Sequence, residues 1–376
     1  MVYWPNTLEL VGVHDVEGVA DFVDVKWASK LEELYIYSPA VLGNTLYTGS
    51  DERKITAFDT QTGERLWQYE AETEIVSGIT IQSGLAYFVD SDPKLVALAL
   101  DDRLIKWTFP LGKTPTRTVA LPVVSADTVY FGGRDKCLHA IDIATGKERW
   151  AFQTRGEIRA PAAVSSDDVV YIGSFDNRLY TLEAGNGTMK WCFRTGTHVI
   201  HSMPAIANGT VYFGSNDMHL YALDAESGQL KWRFEGGTWL RTFPVANGGA
   251  VYFGCYASDI PSHNNYLYAL DASTGGVLWR IQTEHIQSGP HIADGRLFLT
   301  TLDGLFRALD LETGKECWHF GKEGEGISSP AFSDGAIYIA GAHKTETGNY
   351  DHYLYALRTS AHGTTHEDES AGSLAQ

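Results

Sequence analysis

His201, Arg241 and His285 are the residues of this 376-residue chain best suited to acid/base chemistry. An arginine can clamp an anion or a carbonyl, and a histidine changes charge close to neutrality, so His201 or His285 could act as general acid or base beside Arg241. Such a set would support an elimination, isomerisation, cyclisation or hydrolysis, reactions that need little beyond positioned proton donors and acceptors. Arg159, Trp239 and Gln287 occupy comparable stretches and read as ligand contacts. Two polar insertions, Cys255 to Asn265 and Ala342 to His352, add His263, Asn265, His343, Asp351 and His352. The same side chains would serve equally well as a hydrogen-bonded network between packed sheets. The chain carries no P-loop, dinucleotide fingerprint, nucleophile elbow or HExxH motif.

What must position these residues is a repeat. The stretch VYFGSNDMHLYALDAESGQLKW, Val211 to Trp232, holds two short runs of β-branched and aromatic residues around a turn at Ser215 to Asp217, then a third run after Ser227 and Gly228. A fourth run, Met203 to Ala207, precedes it through Asn208-Gly209, a strong hairpin dipeptide. Four antiparallel strands per unit make a propeller blade. The closing Trp recurs at Trp27, Trp67, Trp107, Trp150, Trp191, Trp232, Trp279 and Trp318, at spacings of 39 to 47 residues. The sequence therefore predicts an all-β, eight-bladed β-propeller. Trp27 has no preceding strands and the last unit, ending at Arg358, has no Trp, so an N-terminal strand should complete the last blade and close the ring. Blade two is degenerate: Gly78 stands where other units have a proline, and its third turn shortens to Asp101-Asp102-Arg103.

In a meander of this kind the second-to-third loop and the lead-in to the first strand share one face of the disc, the top face. Three positions before the marker proline, blades one, two, four and eight carry Ile36, Ile75, Ile158 and Ile327, whereas blades five to seven carry His201, Arg241 and Gln287. Trp239 and His285 lie two residues further out. The expected site is a mouth at the top of the central channel, beneath the insertions of blades six and eight.

The repeat A-L-D-x-x-T-G-x-x-x-W resembles that of the PQQ-like, or quinoprotein-like, propellers, whose members include outer-membrane assembly scaffolds. Ala57-Phe58-Asp59 with Gly63 and Trp67, and Ala222-Leu223-Asp224 with Gly228 and Trp232, carry the likeness, as do the units ending at Trp150, Trp279 and Trp318. It covers roughly 24–358, leaving 1–23 as an N-terminal extension and 359–376 as a tail rich in Ser, Thr, Gly and acid, expected to be disordered. The resemblance implies that each Trp docks on the neighbouring blade. For the alcohol-oxidising members it also implies a vicinal Cys pair, a calcium site and a longer chain. Here Cys137, Cys192, Cys255 and Cys317 are isolated, so no bound quinone or other cofactor is expected. Without CxxC or Cys/His metal spacing, no metal is expected either, and the thiols read as buried and unpaired.

Acidic residues number 47 against 29 basic ones, a formal charge of −18, and without a basic stripe nucleic acid is a poor partner. The first 23 residues lack a basic region and an unbroken apolar run, and no stretch is long enough to insert in a membrane. A cytoplasmic, soluble chain is expected. Two functions stay open: a scaffold that binds a protein or peptide on its top face, and an enzyme or small-molecule binder with a pocket there.

Overall fold

The computed structural model describes residues 13–14, 23–32, 37–50, 52–111, 120–196, 198–240, 242–255, 265–286, 289–321, 326–345 and 350–359. Among them every regular element is a strand, and the strands form eight antiparallel blades. Blade five is typical, with strands Ala205–Ala207, Thr210–Gly214, His219–Asp224 and Leu230–Glu235 paired in chain order. Its second strand is buried throughout and its third is buried but for its ends, because neighbouring blades cover both faces. Its fourth alternates exposed and half-buried, as an outer strand must. First strands of successive blades touch one another and so line the central axis.

The ring closes as the sequence predicts. Val23–Leu31 pairs with Tyr350–Thr359, placing Trp27 opposite Ala356 as the fourth strand of blade eight. The N-terminal extension is not wholly outside the propeller, however. Val13–His14 pairs in parallel with His291–Ala293, the first strand of blade seven, as a fifth strand on the axial side. The core is divided into eight clusters, one at each interface. Blades three and four, for example, bury Tyr130, Leu138, Ile172 and Leu182 between them.

Each interface is keyed by tryptophan. The indole N–H of Trp150 donates to the Ala184 carbonyl of the next blade at 2.9 Å, and Trp27, Trp107, Trp191, Trp232 and Trp279 make the same bond one blade on. The ring then lies flat on the turn glycine: a Cβ at Gly63, Gly146, Gly187, Gly228, Gly275 or Gly314 would stand 2.5–2.7 Å from it. Blade two has the same turn at the same length, contrary to the shortening expected. Arg103 donates its N–H to Ala99 as Gly146 does to Asp142, and takes the glycine's place with φ 59°. The guanidinium then covers Trp67 at 5.9 Å.

Burial of the thiols holds only for Cys255. Cys192 and Cys317 are exposed and Cys137 is half-buried, because the fourth strands that carry Cys192 and Cys317 show one side to solvent. All four are unpaired. The tail beyond Thr359 lies outside the described residues.

Candidate binding face

The two faces of the disc differ in kind. On the lower face the third turn is nearly invariant: the carboxylates of Asp59, Asp142, Asp224, Asp271 and Asp310 each accept from a backbone N–H two or three residues on. The larger insertions lie on the top face, with the lead-ins and second-to-third loops, while the lower face departs at the longer first turn of blade four and at Arg103 of blade two.

In blades four to seven the lead-in is fixed by an apolar plug. Ile158, Ile200, Leu240 and Ile286 are at most 2% exposed. They press on a glycine of the preceding blade, where a Cβ at Gly132, Gly173, Gly214 or Gly254 would come within 2.3–2.9 Å. Sequence counting from the proline put polar residues at the plug position of blades five to seven. The plug is in fact intact there and one residue is inserted after it, so that His201, Arg241 and Gln287 follow Ile200, Leu240 and Ile286. Arg159 follows Ile158 in the same way and joins the series. In blade two Ile79, not Gly78, stands at the proline position, immediately before the Thr80↔Tyr87 pair.

The structure brings two of the sequence candidates together, through a residue that the sequence reading passed over. The Arg159 guanidinium stands 4.6 Å above the ring of Phe175, and His201 meets that ring edge-on with centroids 4.4 Å apart. Glu157 accepts from Arg159 at 2.6 Å, and its carbonyl accepts the Phe175 N–H at 2.9 Å, which fixes the loop beneath the pair. A half-buried aromatic ring between a cation and an imidazole can hold a flat or anionic group. This cluster joins blades four and five rather than five to seven. Trp239 and Asn265 are half-buried elsewhere on the face, and His285 is buried, its carbonyl accepting from Leu302 at 2.7 Å. Arg241, Gln287 and His263 lie outside the described residues.

Blade eight departs furthest from the repeat. The stretch expected to be a loop is a β-ribbon: Ala336–Lys344 and Tyr350–Thr359 continue their pairing through His343↔Asp351 to Lys344↔Tyr350. The regular second strand would end near Ala340, so four further residues carry the ribbon about 13 Å beyond it. Among the described residues, Gly326 pairs with Ala342 on one side and Leu31 with His352 on the other, and Lys30 bonds Asp351 at 2.9 Å. Burial holds the His352 imidazole below the ordinary histidine range.

Cys137, expected to stand isolated with no metal nearby, instead lies with Asp135 and His139, their ligand atoms within 4.8 Å of one another. CxxC spacing does not reveal them because Cys137 and His139 share one strand face and meet Asp135 of the preceding turn only in the folded hairpin. A cavity of about 930 Å³ runs along the first strands of blades three to six, past Ala163, Ala205 and Val245, to Asp167 and Asp224. Those two belong to lower-face turns, so this cavity opens opposite the expected mouth.

Eight blades joined by tryptophans on turn glycines define a quinoprotein-like propeller. The chain belongs to the family described as outer membrane protein assembly factor BamB, matched over residues 24–162, 153–260 and 263–357. Among curated proteins it is 25% identical over 121 residues to outer membrane protein assembly factor BamB of Bordetella pertussis, covering 32% of this chain and 30% of that one. It is 28% identical over 160 residues to lupanine 17-hydroxylase [cytochrome c] of a Pseudomonas species, covering 36% of this chain and 22% of that one. The matched stretches thus span less than a third of either relative. The crystal structure of BamB from Moraxella catarrhalis superposes with a TM-score of 0.71 at 18% identity, over 90% of this chain and all of that one. The cysteines do not fit a quinone held in the manner of the alcohol-oxidising members: they stand in blades three, four, six and seven, and none offers a vicinal partner.

Proposed function

We propose that the chain is a scaffold that holds a protein or peptide partner on its top face. The observation that carries this reading is the blade-eight ribbon, whose paired strands run four residues beyond the regular end of the second strand and so project backbone from the top face toward an incoming segment. Edge pairing supplies main-chain hydrogen bonds, and nearby pockets supply selectivity. The near-repeated third turns of the lower face support the same assignment, since a repeat fold keeps its scaffold constant and varies where it binds. Relatives described as assembly factors for outer membrane proteins are consistent with a protein partner. The test is to replace 343–351 by a two-residue Asn-Gly turn and compare partners recovered after cross-linking in the source cells. Loss of a discrete partner with an unchanged melting temperature is expected. Retention of every partner would contradict the proposal.

A second reading, small-molecule binding with acid/base chemistry, is favoured by the contact of Arg159 and His201 with Phe175. It predicts that Arg159→Ala weakens an anionic ligand at least tenfold, the loss of a charge-assisted contact worth about 1.5–3 kcal/mol.

A further inference from the structure

His139, on the third strand of blade three, is only 8% exposed and lies between two carboxylates. Its Nδ1 meets Glu148 at 2.6 Å and its Nε2 meets Asp135 at 2.8 Å. Blade seven contains the same cage. Arg307 there lies between Asp303 and Glu316, with the same offsets along the chain and across the same pair of strands. In blades four, five and six the corresponding positions are occupied by Tyr180, Tyr221 and Tyr268, and the glutamate is replaced by Met189, Leu230 and Val277. The second carboxylate is thus present where blade seven supplies a permanent cation, and absent where these blades have a neutral tyrosine. Blade three has the carboxylate pair but only an ionisable imidazole between them.

Carboxylates engage both ring nitrogens of His139, so the cage holds an imidazole where blade seven holds a guanidinium. Beside it stands a residue with no counterpart in blade seven. Cys137 shares a strand face with His139, and its thiol lies 3.2 Å from Gln153 Oε1. Leu305 holds that position in blade seven and Arg178 in blade four.

We propose that blade three holds a divalent, borderline-soft cation of the zinc class, bound by Asp135 Oδ2, Cys137 Sγ and His139 Nε2. The three ligand atoms lie within 4.8 Å of one another, and a tetrahedral zinc separates its ligands by about 3.3–3.8 Å, so modest side-chain rotation closes the site. Glu148 on Nδ1 is the carboxylate that orients a metal-bound histidine and fixes its tautomer. Gln153 Oε1 or water completes four ligands. Binding expels the thiol proton, together with the Nε2 proton where the imidazole is charged. The cation then neutralises the cage that Arg307 neutralises in blade seven.

The experiment titrates cobalt(II) into the full chain after treatment with a chelator, following the thiolate-to-cobalt charge-transfer band. One equivalent is expected to saturate the band, and added zinc should abolish it. Cys137→Ser should remove the band and weaken zinc at least tenfold, while Cys192→Ser and Cys317→Ser, on exposed fourth-strand positions, leave both unchanged. His139→Gln should weaken zinc as Cys137→Ser does, and the half-buried Cys137 variant stays informative should the histidine variant fail to fold. A band that survives Cys137→Ser, or one lost equally in the Cys192 and Cys317 variants, would overturn the site.

Discussion

Trp191 lies on Gly228 of the following blade so closely that a Cβ there would stand 2.6 Å from the indole, whose N–H donates to the Ala225 carbonyl at 3.2 Å. Gly228 also has φ 70°, where a side chain adds strain. Gly228→Ala should therefore destabilise the fold by about 2–4 kcal/mol, from backbone strain plus collision with a rigid ring. Denaturant unfolding measures it. The matching control is Arg103→Gly in blade two, where strain relief of about 1 kcal/mol offsets the lost contact with Trp67, and stability should change little. Equal losses from both would contradict the docking account.

Ring closure rests on Val23–Leu31, which pairs with the last strand while Trp27 donates to Thr60 of blade one at 3.0 Å. Deleting residues 1–31 strips the outer edge of blade eight and removes one tryptophan dock, a loss of about 3–5 kcal/mol for the indole alone. The melting temperature should fall and the exposed edge should promote association. A monomeric truncated chain with an unchanged melting temperature would refute closure by this strand.

Asp90, at the top of blade two, is 4% exposed, and burial pushes its carboxyl up to about 6 despite the attraction of Lys94. The folded chain then holds a proton that the unfolded chain has released, so this group's contribution is fullest below about pH 4 and declines as pH rises to about 6. Asp90→Asn should flatten that decline and raise stability at pH 7 by about 1–3 kcal/mol. Thermal melts of both proteins between pH 4 and 7 decide it, and a decline that persists in the variant would assign it to other groups.

The architecture was legible because each blade repeats a residue whose role is geometric, a large indole answered by a glycine one blade on. Gly228 and Gly275 could be read from the string, whereas Arg103 could not, since only its backbone shows that it fills the same turn. The polar series failed for a similar reason: counting back from the proline cannot distinguish a substitution at the plug from an insertion after it. Buried Ile200 and Leu240 reveal the insertion. Phe175 escaped notice because it sits in a loop of ordinary length, and its role comes from Arg159 and His201, which are near it only in space.

On the proposed function, the top face, and the blade-eight ribbon in particular, carries the partner. A photo-cross-linking residue placed at Lys344 on the ribbon, and separately at Gln61 and Glu226 in lower-face turns, distinguishes the faces in the source cells. A discrete adduct from position 344, absent from positions 61 and 226, is the predicted result. Adducts of the same size from the lower positions, or from those alone, would contradict it.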